Sequence, residues 1–159
     1  GIPRESKIRK FVSDELVVSN ILEEYNALNL KSLKKAKLVN GFNSFIIAIN
    51  NSGINKYVIS GGDQVELREV LKYKKISRYF NKILGGPKTK YQNIDNLNIV
   101  GRTLYFGDSK LDYEVCEFYN FDFVFIMDYT ETDILFNVNS RIKKYKINNF
   151  NKFNIHKLI

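Results

Sequence analysis

Residues with specialised chemistry are scarce in this chain of 159 residues, which has one cysteine, one histidine, one methionine, two prolines and no tryptophan. The lone cysteine, Cys116, excludes an internal disulfide framework and is typical of a reducing, cytoplasmic setting. We expect it to be a buried structural thiol, because no histidine or second cysteine is near it in sequence. The lone histidine, His156, lies in the C-terminal tail, where we expect a surface role rather than general-base chemistry.

Long apolar runs are also missing from the sequence. No run approaches the length of a membrane span and no signal peptide opens the chain, so we expect a cytoplasmic protein with no membrane partner. A hydrophobic fraction of 44% and a charged fraction of 26% are ordinary for a globular protein. The length fits one domain with a sizeable core.

The net charge of +8 raises the question of nucleic-acid binding. The chain is rich in Lys, Asn, Ile, Tyr and Phe together, and these residues share A/T-rich codons, so genome composition accounts for the basicity. The lysines are dispersed, and the tightest clusters, 31–37 and 141–146, are typical of a solvated helix face or tail. The aromatic stretch 118–125 lacks an RNA-binding pattern and favours core packing. We therefore expect no nucleic-acid partner.

Helical and extended patterns alternate along the chain. Apolar residues recur at helical spacing over 5–25, a second short helix fits 30–37, and an amphipathic helix fits 42–50. Short apolar strands then alternate with further helices, and the tail 147–159 is polar and aromatic. The strands lie near 57, 83, 104 and 124, and the helices at 64–73, 90–97 and 111–119. This alternation predicts an α/β domain with a mostly parallel, Rossmann-like sheet flanked by helices.

Polar residues follow each predicted strand at its carboxyl end, where ligands sit in such sheets. The four segments are Ser60-Gly61-Gly62, Gly85-Gly86-Pro87-Lys88, Gly107-Asp108 and Asp128-Tyr129-Thr130. They combine a hydroxyl, glycine-opened backbone, a lysine and carboxylates. Backbone NH groups and a lysine suit a phosphate, and carboxylates suit a hard cation such as Mg²⁺.

Two carboxylates stand four residues apart in the stretch "TLYFGDSKLDYEVC", at Asp108 and Asp112. Like charges this close raise each other's pKa, and a hard cation is the usual reason to pair them. The alternative is structural, because acids are also favoured in the first turn of a helix. The glycine before Asp108 and the other strand-end residues favour the metal.

Three of these stretches, taken in order, resemble motifs of the haloacid dehalogenase-like hydrolase superfamily over about residues 40–128. "VISGGD" resembles its second motif, which places Ser60, and "GGPKTK" resembles the third, which supplies a lysine: Lys88, or Lys90 as the fallback. "LYFGDSKLD" is similar to the fourth and places Asp108 and Asp112.

The resemblance implies a Mg²⁺-dependent phosphatase that acts on a small phosphorylated metabolite through an aspartyl-phosphate. It implies that Ser60 and Gly61 bind the phosphoryl group and that Lys88 neutralises its charge. It assigns Asp108 and Asp112 to the metal, directly or through water. It also implies a helical cap remnant at 1–37 and an α/β core at 38–159. Substrate identity is not readable, because the cap that sets it is largely missing.

The superfamily's first motif, Asp-x-Asp-x-Thr, has no counterpart before Ser60. We therefore expect the chain to begin within the cap, without the nucleophile and without a central strand. We expect no activity from the chain alone, and oligomerisation through exposed sheet edges. The alternative is a non-catalytic binding or scaffold protein of the same superfamily. A permuted first motif at Asp128, with Thr130 and Thr132, is disfavoured because Thr130 stands where the second acid belongs.

Overall fold

The computed structural model describes residues 4–130, 141–151 and 153. The chain divides into two compact units. The first unit contains Gly1–Lys37 and Ile54–Leu97, and the second contains Leu38–Gly53 and Asn98–Ile159.

The first unit opens with two helices, α1 (Arg4–Ile8) and α2 (Glu15–Lys35). The helical spacing over 5–25 predicted no break between them. The break occurs because Asp14 is an N-cap, whose carboxylate accepts a hydrogen bond from the backbone NH of Val17 at 3.0 Å. The predicted short helix at 30–37 is the end of α2, which continues without interruption to Lys35.

The rest of the first unit follows an alternating order. Strand β1 (Tyr57–Asp63) leads into α4 (Gln64–Tyr73), where Asp63 caps the helix by accepting from the NH of Glu66. A short 3-10 helix, Ser77–Tyr79, precedes β2 (Lys82–Gly86), which pairs in parallel with β1. Helix α5 (Lys90–Asp95) closes the order.

The second unit holds α3 (Phe42–Ala48) and three parallel strands. The strands are β3 (Leu104–Gly107), β4 (Asp122–Ile126) and β5 (Lys144–Ile147), in the order β3-β4-β5, with α6 (Lys110–Tyr119) between β3 and β4. Strand β4 is the centre of this unit, because Phe123, Val124 and Phe125 are at most 1% exposed. Cys116 of α6 is also fully buried, which confirms the predicted structural thiol.

Parallel strands and flanking helices confirm the predicted α/β class, with two differences. The described strands form two separate hydrogen-bonded sheets, of two and three strands, instead of one. In addition, Lys144–Ile147 is a strand and not a helix face or tail. The basic residues hid this strand, since its exposed positions carry lysines while the backbone pairs with β4. None of the helices described is long and apolar enough to cross a bilayer.

Candidate functional site

Ser60 lies where β1 becomes irregular. The register of β1 against β2 shifts between Ile59 and Asp63, so Ser60, Gly61 and Gly62 leave the regular ladder. The Ser60 hydroxyl oxygen is half-buried and accepts a hydrogen bond from the backbone NH of Gly62 at 3.1 Å. The hydroxyl hydrogen remains available to an oxygen of a ligand.

The carboxyl end of β2 lies directly against this turn. A Cβ on Gly85 would come within 2.7 Å of the Gly62 carbonyl oxygen, so only glycine allows the two backbones to approach. Lys88 follows two residues beyond the end of β2 with an exposed side chain. Lys90, the fallback for the same role, is the first residue of α5.

Asn93 holds the loop that carries Lys88, and sequence reasoning missed it. Its side chain is 2% exposed and its amide donates to the Gly85 carbonyl at 3.1 Å and to the Lys88 carbonyl at 3.5 Å. Burying an amide is costly unless it is hydrogen-bonded, and here the bonds fix the loop between β2 and α5. The sequence signal was a polar residue on the otherwise apolar side of α5, beside Ile94 and Leu97.

Asp108 and Asp112 lie together in the second unit, at the carboxyl end of β3 and in the first turn of α6. Asp108 is exposed. Asp112 is 4% exposed and packs against Gly107, where a Cβ would overlap the Asp112 side chain. The glycine of "GD" is therefore what allows Asp112 to lie against the end of the strand.

Both carboxylate oxygens of Asp112 accept hydrogen bonds from the protein. Tyr105 donates its hydroxyl to Oδ1 at 3.0 Å, and Ser109 donates its hydroxyl at 2.6 Å and its backbone NH at 3.2 Å to Oδ2. Ser109 in turn accepts from the Asp112 backbone NH, which completes a capping box. These bonds use at least three of the roughly four lone-pair sites of a carboxylate.

Tyr105 is affected by the same arrangement. Burial raises the pKa of its hydroxyl, and the negative charge of Asp112 beside it raises the pKa further. Tyr105 therefore keeps its proton and remains a hydrogen-bond donor to Asp112 throughout the neutral range.

The donor chemistry of this pair fits Mg²⁺ at one position. Asp108 offers an exposed carboxylate, the ligand type that Mg²⁺ prefers, whereas the Asp112 carboxylate is already hydrogen-bonded. No group of three or more His, Cys, Asp or Glu side chains suited to a metal lies within residues 4–130, 141–151 and 153. Further oxygen ligands would have to come from water or from a bound phosphate.

The four predicted site residues belong to different units: Ser60 and Lys88 to the first, and Asp108 and Asp112 to the second. A cavity of about 400 Å³ in the first unit is lined by Arg68, Lys72 and the start of β2, and includes none of the four.

The disfavoured permuted motif falls partly outside the described residues. Asp128 follows β4, is exposed and accepts from the amide of Asn149 at 2.6 Å. Thr132 and His156 lie outside the residues that the structure describes.

Comparison with known proteins gives a family and several relatives of similar structure. The family model of haloacid dehalogenase-like hydrolases matches residues 1–126. A haloacid dehalogenase-like family hydrolase from Streptococcus pneumoniae aligns with a TM-score of 0.67 at 17% identity, over 92% of this chain and 72% of that one. A protein from Clostridium difficile described as a candidate phosphatase aligns with a TM-score of 0.68 at 18% identity, over 92% and 74%.

A protein with a different named activity shares the fold. Protein tyrosine kinase A from Mycobacterium tuberculosis aligns with a TM-score of 0.64 at 15% identity, over 91% of this chain and 73% of that one. No curated protein matches the chain significantly. The structural likenesses therefore show the fold, and the family match carries the relationship.

Proposed function

Because the chain belongs to the haloacid dehalogenase-like hydrolase family, we propose that it serves a Mg²⁺-dependent phosphatase reaction on a small phosphorylated metabolite. The observation that carries this proposal is the contrast between two neighbouring acids, the exposed Asp108 and the buried, fully hydrogen-bonded Asp112. A purely structural acid pair at a helix start gives no reason for one carboxylate to stay open to solvent.

The two acids have different roles in this proposal. Asp108 is a direct ligand, and bound Mg²⁺ supplies positive charge that stabilises the negative charge of a transferring phosphoryl group. Asp112 orients the Gly107–Ser109 turn through Tyr105 and Ser109, and reaches the ion only through its water shell. This is the second-shell support that metal ligands usually need.

The phosphate roles fall to the first unit. Ser60 donates its hydroxyl to a phosphoryl oxygen, and the backbone NH of Gly61 adds a second donor. Lys88 neutralises charge on the same group, and Asn93 fixes the loop that carries it. The lone buried cysteine supports a cytoplasmic setting for this reaction.

The nucleophile is the part that these residues do not supply. An aspartyl-phosphate mechanism needs an Asp-x-Asp-x-Thr segment, and the 159 residues contain no Asp-x-Asp sequence. We propose that the chain alone binds phosphate and metal without hydrolysing esters. This absence also keeps open the second candidate, a non-catalytic binding or scaffold protein of the same family.

NMR of the isotope-labelled chain tests the metal and phosphate assignments together. Mn²⁺, a paramagnetic substitute for Mg²⁺, should broaden the amide signals of residues 107–112, and excess Mg²⁺ should reverse the broadening. Inorganic phosphate should shift the amide signals of Ser60, Gly61 and Lys88. Binding should be weak, because the chain offers few of the oxygen ligands that Mg²⁺ requires.

Asp108→Asn removes the proposed ligand charge and should abolish the Mn²⁺ broadening at residues 107–112. Asp14→Asn is the matched control, because asparagine caps a helix about as well as aspartate and the carboxylate lies on α2. Unchanged broadening in Asp108→Asn would refute the metal assignment. Phosphate shifts confined to Lys143 and Lys144 would refute the phosphate assignment and support a non-specific basic surface.

A further inference from the structure

Helix α2 exposes an apolar stripe along one side. Leu28 is 58% exposed, Tyr25 48%, Val17 43% and Ile21 37%. At about 100° per residue these four side chains fall within an arc of about 80°. Val18, on a neighbouring side of the helix, is 1% exposed, so α2 packs its other apolar residues within its own unit. Single exposed apolar residues are common, but a contiguous stripe over three turns is typical of an interaction surface.

The charges of α2 are separated along its length. Its acidic residues, including the cap, all precede Leu28, and its basic residues all follow it; they are Asp14, Glu15, Glu23 and Glu24, then Lys31, Lys34 and Lys35. Two parallel copies of such a helix would align like charges. Two antiparallel copies would place each acidic end beside a basic end.

We propose that this stripe is the docking surface for a second copy of the chain, with the two α2 helices antiparallel. A two-fold arrangement that places Ile21 opposite Leu28 of the second copy also places Asp14 opposite Lys35 of the second copy. Apolar contacts and charge pairs are therefore satisfied by one register, as an isologous interface requires. No ion pair among the described residues uses Lys31 or Lys35, which leaves both for this role.

The same charges argue against a lipid surface as the occupant. Membrane-surface helices carry an excess of Lys and Arg on their polar side. Between Glu15 and Lys35, α2 has three acidic and three basic residues, and the acidic ones lie at one end. An anionic bilayer would repel that end, whereas a second copy complements it.

Sedimentation velocity of the 159-residue chain over a range of concentrations tests the proposal. The chain should dimerise reversibly, and Leu28→Glu should raise the dimer dissociation constant at least about 100-fold, because it places a charge at the centre of the apolar contact. Lys35→Glu should raise it about tenfold, since it juxtaposes like charges at both ends. Val100→Glu is the control, because Val100 is 94% exposed outside α2, and it should leave the constant unchanged.

Circular dichroism would establish that each variant keeps its helices, and Ile21→Glu is the second probe if Leu28→Glu loses them. A chain that stays monomeric at every concentration overturns the proposal. A dimer that both glutamate variants leave intact also overturns it and points to the sheet edges. Binding of the stripe to anionic vesicles without dimerisation would identify a lipid surface instead.

Discussion

At the scale of single residues, Asp112 shows how one side chain serves both a helix and a neighbouring ligand. It caps α6 with Ser109, accepts from Tyr105 of β3, and requires Gly107 for its place against the strand end. The sequence predicted both a metal role and a helix-start role for the acid pair. The hydrogen bonds show that the helix-start role of Asp112 is real, and the metal role stays a prediction.

Tyr105→Phe should lower the free energy of unfolding by about 1 kcal/mol near neutral pH, because the Asp112 carboxylate loses a donor. The loss should shrink at alkaline pH. The pKa of the Tyr105 hydroxyl is raised in the folded state, so above about 10, its ordinary value, the unfolded chain loses this proton first. The stability from the Tyr105 hydroxyl is therefore full below about pH 10 and falls above it.

Urea unfolding of both proteins between pH 7 and 11 measures this difference. Subtracting the variant from the parent removes the titration of the other tyrosines and lysines. Tyr73→Phe is the control, because Tyr73 is 61% exposed, and its difference from the parent should not follow this trend. A Tyr105→Phe difference that grows with pH would contradict the assignment.

At the scale of elements, the helices and strands around the candidate site follow from local chemistry. The cap at Asp63, the apolar run before Gly107 and the Gly pair after Leu84 are signals carried by neighbouring residues, and the predicted β1, α4, β3 and α6 are confirmed. The misses depended on longer-range effects. Strand β5 exists because β4 offers its second edge, which no pattern within Lys144–Ile147 reveals.

Glu66 links three helices of the first unit and provides a prediction at this scale. Its carboxylate accepts from Arg4 of α1 at 2.6 Å and from Asn29 of α2 at 2.8 Å, and its side chain is 11% exposed. Glu66→Ala should therefore lower the free energy of unfolding by about 1–3 kcal/mol, because two buried donors lose their acceptor. Urea unfolding followed by circular dichroism measures the change.

The neighbouring Glu69 is the matched control on α4. It forms an ion pair with Lys34 at 2.5 Å, but its side chain is 48% exposed. Glu69→Ala should cost less than about 1 kcal/mol, because exposed ion pairs contribute little. Equal losses in the two variants would show that Glu66 is not a link between helices.

At the scale of the whole chain, composition was informative about what to exclude and silent about pairing. The net charge of +8 is spread over helices and over β5, whose lysines lie on a paired strand. The two separate sheets could not be read from strand spacing alone, because spacing gives the order of strands and not which edges pair. Strands β1 and β3 each have a paired neighbour on one side, and their apolar residues remain partly exposed.

The last expectation concerns the activity of the chain as a whole. With p-nitrophenyl phosphate and Mg²⁺, the purified chain should show no hydrolysis above the buffer rate. Ser60, Lys88 and Asp108 can bind and neutralise a phosphate, but positioning without an attacking group forms no phospho-enzyme. The sequence has no Asp-x-Asp segment to supply that group. A steady release of p-nitrophenol, measured at 405 nm as roughly the absorbance maximum of the product, would contradict this expectation.

Such activity would make Asp128 the first residue to test, because it follows β4 and its carboxylate is exposed. Loss of hydrolysis in Asp128→Asn, with Mn²⁺ broadening at residues 107–112 retained, would identify Asp128 as the nucleophile. Loss in Asp108→Asn alone would instead indicate metal-dependent attack by another group. If hydrolysis is absent while phosphate and Mn²⁺ still bind, the chain holds the binding half of the chemistry, and an aspartate supplied from outside these 159 residues must complete it.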